Sequence, residues 1–212
     1  MGTIAVIDYG MGNLRSVARA LEHVVPGGVR VRVTAQAADV LAADRIVFPG
    51  QGAARDCMRA LDAQGLRDPL LKVAQDRPFL GMCMGLQVLL DHSDEGATPC
   101  LGLIAGRVHR FVSGERAADG GRCKIPHMGW NEVWQAQSHP LWDGIVDGTR
   151  FYFVHSYYAE PDEPERAAGI TEHGRQFCSA LAWANLFACQ FHPEKSSAAG
   201  LRLLANFVSW DP

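Results

Sequence analysis

The chain has 212 residues, 48% of them apolar and 20% charged, with a formal net charge of −3. That length can bury a sizeable core, and the balance is globular rather than disordered. The near-neutral charge offers no basic surface for nucleic acid or an anionic membrane. No apolar run approaches the roughly 18 residues of a membrane-spanning helix, and the start lacks the basic region of a signal peptide. A cytoplasmic location and one domain over residues 1–212 are therefore expected.

The first half alternates in period. Thr3–Asp8 reads as a buried strand, and 13–24 carries Leu14, Val17, Leu21 and Val24 as a helical stripe. Strands follow at Val29–Thr34 and Arg45–Phe48, then a long helical stretch over 53–76, a strand at Pro78–Met82 and a helix from Met84 onward. This order predicts a parallel sheet with helices on both faces. The second half reads as short strands at 103–111, 131–134, 150–158, 168–171 and 179–191, closed by a helix over 197–210. Ser113–Arg122, rich in glycine and charge, reads as a mobile surface loop. The fold class is α/β: a mostly parallel central sheet flanked by helices, with an additional antiparallel sheet.

None of the six cysteines forms a C-x-x-C pair, which argues against zinc-ribbon and thioredoxin chemistry. Most are expected to be small core residues. Cys83 differs. Gly81-Met82-Cys83-Met84-Gly85 places a thiol between a strand and a helix, in the pattern of a nucleophile elbow. Glycines at both flanks let the turn close, the helix N-terminus favours the thiolate, and the Met84 N–H faces a developing oxyanion. A core cysteine between packing glycines would look the same, so a base must be found elsewhere.

Of eight histidines, His23, His92, His109, His139 and His173 lie in polar or helical surroundings and read as surface residues. His192 ends an apolar strand two residues before Glu194. In extended backbone the two side chains point the same way, a base with a carboxylate to fix its tautomer. A strand-end histidine beside a solvated glutamate remains the alternative. A deaminase-type zinc reading of H-x-E fails for lack of the P-C-x-x-C that would follow. Pro49-Gly50-Gln51-Gly52 leaves another strand with two glycines, and can turn an N–H toward a substrate or be a plain tight turn.

Together these stretches resemble the class I (triad) glutamine amidotransferases. Gly81, Cys83, Gly85 and Gln87 match the family's G-x-C-x-G-x-Q, and His192, Pro193 and Glu194 its late H-P-E. Within the family, "DYGMGN" (8–13), "PHMGWN" (126–131), "YFVHSYY" (152–158) and "QFHPEKS" (190–196) are similar to the glutaminase subunits of imidazole glycerol phosphate synthases. Gln51 stands where that branch usually has valine.

The resemblance implies a flavodoxin-like fold and a glutaminase with Cys83 as nucleophile, His192 as base and Glu194 as orienter. It implies an oxyanion hole of the Met84, Gly50, Gln51 and Gly52 backbone, and glutamine held by Gln87, Glu95, Ser156 and Tyr157. Asn13, Tyr157 and Lys195 would face a (β/α)8-barrel cyclase subunit in a heterodimer, to which ammonia passes. No metal or organic cofactor is implied. A paralogous amidotransferase feeding another synthase, or an inactive interaction subunit, would share much of this pattern.

Overall fold

The computed structural model describes residues 2–116 and 121–212. The centre of the loop expected at 113–122, residues 117–120, lies outside them. In chain order the first half contains β1 (Thr3–Ile7), α1 (Leu14–Val24), β2 (Arg30–Thr34), α2 (Ala37–Ala42), β3 (Arg45–Gly50), α3 (Ala54–Ala63), α4 (Arg67–Val73), β4 (Phe79–Cys83) and α5 (Met84–Gln87). The second half contains β5 (His92–Ser93), β6 (Thr98–Pro99), β7 (Gly106–Arg110), β8 (His127–Gln135), β9 (Thr149–His155), β10 (Tyr157–Pro161), β11 (Ala167–Glu172), β12 (Gln176–Trp183), β13 (Leu186–Cys189) and α6 (Ser197–Ser209).

Five strands run parallel in the order β2-β1-β3-β4-β13. This is the flavodoxin-like order, whose ligands gather at the carboxyl ends of the strands. Alternation along each strand sends side chains to opposite faces. Ala5, Ile7, Ile46 and Phe48 join a core beneath α3 and α4, while Ile4, Val6 and Val47 join a second core beneath α1 and α6. Val17 and Leu21 of α1 enter that second core fully buried. Such burial contributes about 1.5–3 kcal/mol per large side chain, and holds a helix whose Asn13 makes no side-chain cap.

The antiparallel strands continue the same sheet. β12 pairs β13, then β10 and β7 follow, and β11 branches from β12 to carry β8 and β9. Two expected strands are each two. Residues 179–191 hold a hairpin in which Trp183 pairs Leu186 across Ala184-Asn185, with Ala184 at φ +50. The strand at 150–158 breaks at Ser156, where the chain leaves β8 as partner and joins β7 and β12.

Helices differ from expectation as well. The stretch 53–76 is two helices, and α5 ends after one turn. The carbonyls beyond α5, on Val88, Leu89 and Leu90, accept from Leu101, Gly102, Leu103 and Ile104 instead of continuing the helix. The short α2 and the β5–β6 hairpin were not expected. Among the described residues, no helix is long and apolar enough to cross a membrane.

Candidate active site

Cys83 is the last residue of β4 and the cap of α5, at φ +54, ψ −109. The bend works because its neighbours lack side chains. A Cβ on Gly85 would run into the Phe48 carbonyl oxygen, and one on Gly81 would lie 2.8 Å from the Gly85 carbonyl oxygen. Real Cβ atoms do not approach that closely, so both positions require glycine here. The Met84 N–H opens α5 and has no acceptor within the helix.

His192 follows β13. Its imidazole Nδ1 lies 3.0 Å from Glu194 Oε1, and both side chains are almost inaccessible. The pairing does not come from extended backbone, as the sequence suggested. Pro193–Lys195 is a 3-10 turn, and this turn brings the carboxylate back under the ring. The Ser196 hydroxyl donates to the His192 carbonyl (2.6 Å) and accepts from the Tyr152 N–H (3.0 Å), pinning the turn to β9. Nδ1–H donating to the carboxylate leaves Nε2 on the side of the Cys83 sulfur. Burial alone would lower the imidazole pKa. The Glu194 hydrogen bond and the charges of Cys83 and Glu194 beside the ring outweigh it and push the value up to about 10.

Four other cysteines behave as core residues. Burial pushes Cys57 and Cys178 up to about 12 and Cys100 up to about 11, and raises Cys189 well above the ordinary thiol value. They stay protonated and unreactive.

A cavity of about 480 Å³ opens over Cys83, a size suited to a small molecule. Gln51, Gly52, Met84, Gln87, Glu95 and Ser156 line it, as do Tyr157, His192 and Lys195. Gly50 pairs in register with Cys83 but lines a narrow crevice behind it, with Asn13 and Glu194. A Cβ on Gly50 would lie 2.5 Å from the Tyr9 hydroxyl and 2.6 Å from Met84 Cβ, so the loop passes closely over the elbow. Gly52 stands at φ +86, which few other residues adopt. Burial, with Cys57 and Cys83 near, raises the Tyr9 hydroxyl pKa, while the Gln51 N–H directed at it works in the opposite sense.

Glu95 accepts from the Ala54 N–H through Oε2 (2.8 Å), so the first turn of α3 holds its carboxylate at the cavity wall. Lys195 Nζ sits 5.8 Å from the centre of the Tyr152 ring. Gln87 is 2% exposed; its Nε2 donates to the Tyr157 carbonyl and to Gln190, leaving Oε1 without a partner among the described residues. Among the described residues no cluster of His, Cys, Asp and Glu is arranged to hold a metal ion.

Sequence reasoning missed Gln190, His127 and His155. Gln190 is fully buried against the Cys83 sulfur, and His155 lines the cavity. One signal was available for His155: in Phe151-Tyr152-Phe153-Val154-His155 it shares the inward face of Phe151 and Phe153. Of the five histidines read as surface residues, only His23 is exposed. His139 packs on Phe187 and Trp210, and burial lowers it to about 4. His173 stacks on His127, with ring centroids 4.1 Å apart.

The model of the glutamine amidotransferase class-I family matches residues 5–210. A protein of Dechloromonas aromatica named imidazole glycerol phosphate synthase subunit HisH is 60% identical over 99% of this chain and 97% of its own. One of the same name from Aromatoleum aromaticum is 57% identical over the full length of both. Among solved structures, PurLQS from Thermotoga maritima aligns with a TM-score of 0.72 at 16% identity, covering 98% of each chain. A glutamine amidotransferase from the same organism aligns at 0.57 and 18% identity, over 91% of this chain and 76% of that one. At such identities the two structures speak for the fold.

Proposed function

This chain belongs to the class-I glutamine amidotransferase family, and from that premise we propose that it is the glutaminase subunit of an imidazole glycerol phosphate synthase. Residues 1–212 act as one domain in the cytoplasm. Glutamine binds in the cavity over Cys83, its side-chain amide against the sulfur. The thiolate attacks the amide carbon, and the tetrahedral oxyanion is met by the Met84 N–H and by the backbone of the 50–52 loop. His192, proton-bearing beside the sulfur, gives its proton to the departing ammonia. It then takes one from the water that hydrolyses the glutamyl thioester, releasing glutamate. Glu194 holds the imidazole in orientation through both steps.

Gln87, Glu95, Ser156 and Tyr157 hold the glutamine, Glu95 at its α-amino group. Ammonia leaves toward a (β/α)8-barrel cyclase subunit, docked on the face with Asn13, Tyr157 and Lys195. That subunit incorporates it to give imidazole glycerol phosphate and the aminoimidazole carboxamide ribotide of histidine synthesis.

One observation carries the reading. A buried thiol–imidazole–carboxylate set lies under a cavity of about 480 Å³, in a chain 53–60% identical along its length to proteins named for this subunit. Reconstitution with the barrel subunit tests it. Cys83→Ala is expected to abolish glutamine-dependent synthesis while the complex still runs on added ammonium. Loss of the ammonium-driven reaction, or retention of the glutamine-driven one, would count against this division of labour.

A further inference from the structure

The Tyr157 carbonyl accepts two hydrogen bonds, from Gln87 Nε2 at 3.2 Å and from His155 Nδ1 at 2.7 Å. A backbone carbonyl has no proton to give, so both partners must donate. That decides which end of the Gln87 amide is nitrogen, a choice that shape alone does not make. The same Nε2 lies 3.0 Å from Gln190, so the Gln190 atom facing it must be the acceptor, Oε1. The other end of that amide, Nε2, then points at the Cys83 sulfur, 3.7 Å away. Gln190 and Gln87 are 0% and 2% exposed, so no solvent competes for these groups.

The other side of the carbonyl is equally directed. With Nδ1–H donating to Tyr157, His155 Nε2 is an acceptor, and it lies 2.9 Å from His127 Nδ1. His127 donates there and accepts at Nε2 from the Asn131 amide (3.1 Å), which also donates to the Glu172 carbonyl (2.8 Å). Every link is satisfied with both rings neutral. Burial favours that state, lowering His155 to about 3 and His127 to about 2. Two buried rings thus pin the carbonyl that orients the glutamine pair.

We propose that Gln190 is a further catalytic residue, donating a side-chain hydrogen bond to the Cys83 sulfur in an orientation dictated by the Tyr157 carbonyl. His155 and His127 are positioning residues behind it. The inference rests on the glutaminase reading for its role in turnover. A donor on the sulfur opposes protonation of the thiolate, and steadies it again when the thioester is hydrolysed.

The test uses a reaction that needs no glutamine. Gln190→Met keeps the length and removes the donor; Gln190→Glu keeps the acceptor toward Gln87 and puts oxygen against the sulfur. In either full-length variant that keeps the wild-type thermal midpoint, alkylation of Cys83 by chloroacetamide, read by mass spectrometry of its peptide, is expected to slow about tenfold. In the reconstituted complex kcat for glutamine should fall by a similar factor, with KM changed less than about twofold. An unchanged alkylation rate in a folded variant overturns the proposal. A measurement without any change at Gln190 covers the case where both variants unfold. Cys83→Ala should move the Gln190 side-chain amide resonances, and coincident resonances would overturn the contact. A wild-type complex that fails to hydrolyse glutamine while the variants still slow alkylation would sink the glutaminase reading and leave the amide–sulfur contact standing.

Discussion

Cys83 occupies backbone that side chains avoid. At φ +54, ψ −109 it lies outside the right-handed, extended and left-handed basins, and such residues store of order 1–3 kcal/mol. The strain has a use: it turns the sulfur out of β4 into the cavity, clear of the strand's own pleat. A pair of substitutions measures it. At an ordinary position glycine is less stable than alanine by roughly 0.5–1 kcal/mol. At position 83 the order should invert, with Cys83→Gly more stable than Cys83→Ala by about 1 kcal/mol, both lacking glutaminase activity. Urea unfolding of the two variants decides it, and an alanine variant as stable as the glycine one would show that the elbow carries no strain. Cys83, His192 and Glu194 were legible as candidates because each sits in a short local pattern, G-x-C-x-G or H-P-E. Gln190 and His155 were not, because their roles arise from contacts across the sheet. Gln190 meets a residue 107 positions away, and His155 one 28 positions away.

Elements were legible where period was strong and boundaries were not required. The apolar strands β1 and β3 and the striped helix α1 stand where the pattern put them. The division between α3 and α4 was hidden because apolar residues keep helical spacing through it. It is made by Gly65 at φ +63, closing a double-bonded cap: the Leu66 N–H reaches the Leu61 carbonyl (2.9 Å) and the Gly65 N–H the Asp62 carbonyl (3.1 Å). Nothing lies within 4 Å of a Cβ built at Gly65, so a substitution there meets no clash and reads conformational cost alone. Gly65→Ala is expected to destabilise the fold by about 1 kcal/mol while leaving kcat and KM for glutamine unchanged. A variant as stable as wild type, by chemical unfolding, would mean that the cap tolerates a Cβ and that tertiary packing alone sets the break. The hairpin at Ala184-Asn185 escaped notice for a related reason: alanine at φ +50 takes the first turn position, where glycine usually announces such a turn.

At the scale of the whole molecule, two buried histidines and the half-buried His139 set how the fold responds to acid. His127, His155 and His139 are neutral when folded, lowered to about 2, 3 and 4, with burial the first cause in each case. Unfolded, each returns to an ordinary value near 6.5. Between those limits the unfolded chain binds more protons than the folded one, so stability must fall as pH falls. The loss begins near pH 6.5, above the range in which ordinary carboxylates titrate. His192 acts in the opposite sense: its pKa is raised, so its contribution is complete below about 6.5 and is lost only as pH rises through about 10. It cannot cause the acid loss. One fully neutral buried ring costs about 1.4 kcal/mol per pH unit once its unfolded counterpart is charged. Screening and residual structure reduce the sum over three rings, so a loss on the order of 2 kcal/mol between pH 7 and pH 5 is expected. Urea unfolding at the two pH values measures it, and His155→Gln should give a shallower fall than wild type, because one ring no longer has to be kept neutral. A wild-type stability that stays level down to pH 5 would place these rings in contact with water or with a charge that holds their protons. That finding would also remove the neutral chain through Tyr157, because two of the three rings, His155 and His127, serve both the acid limb of the stability curve and the orientation of the Gln87 and Gln190 amides.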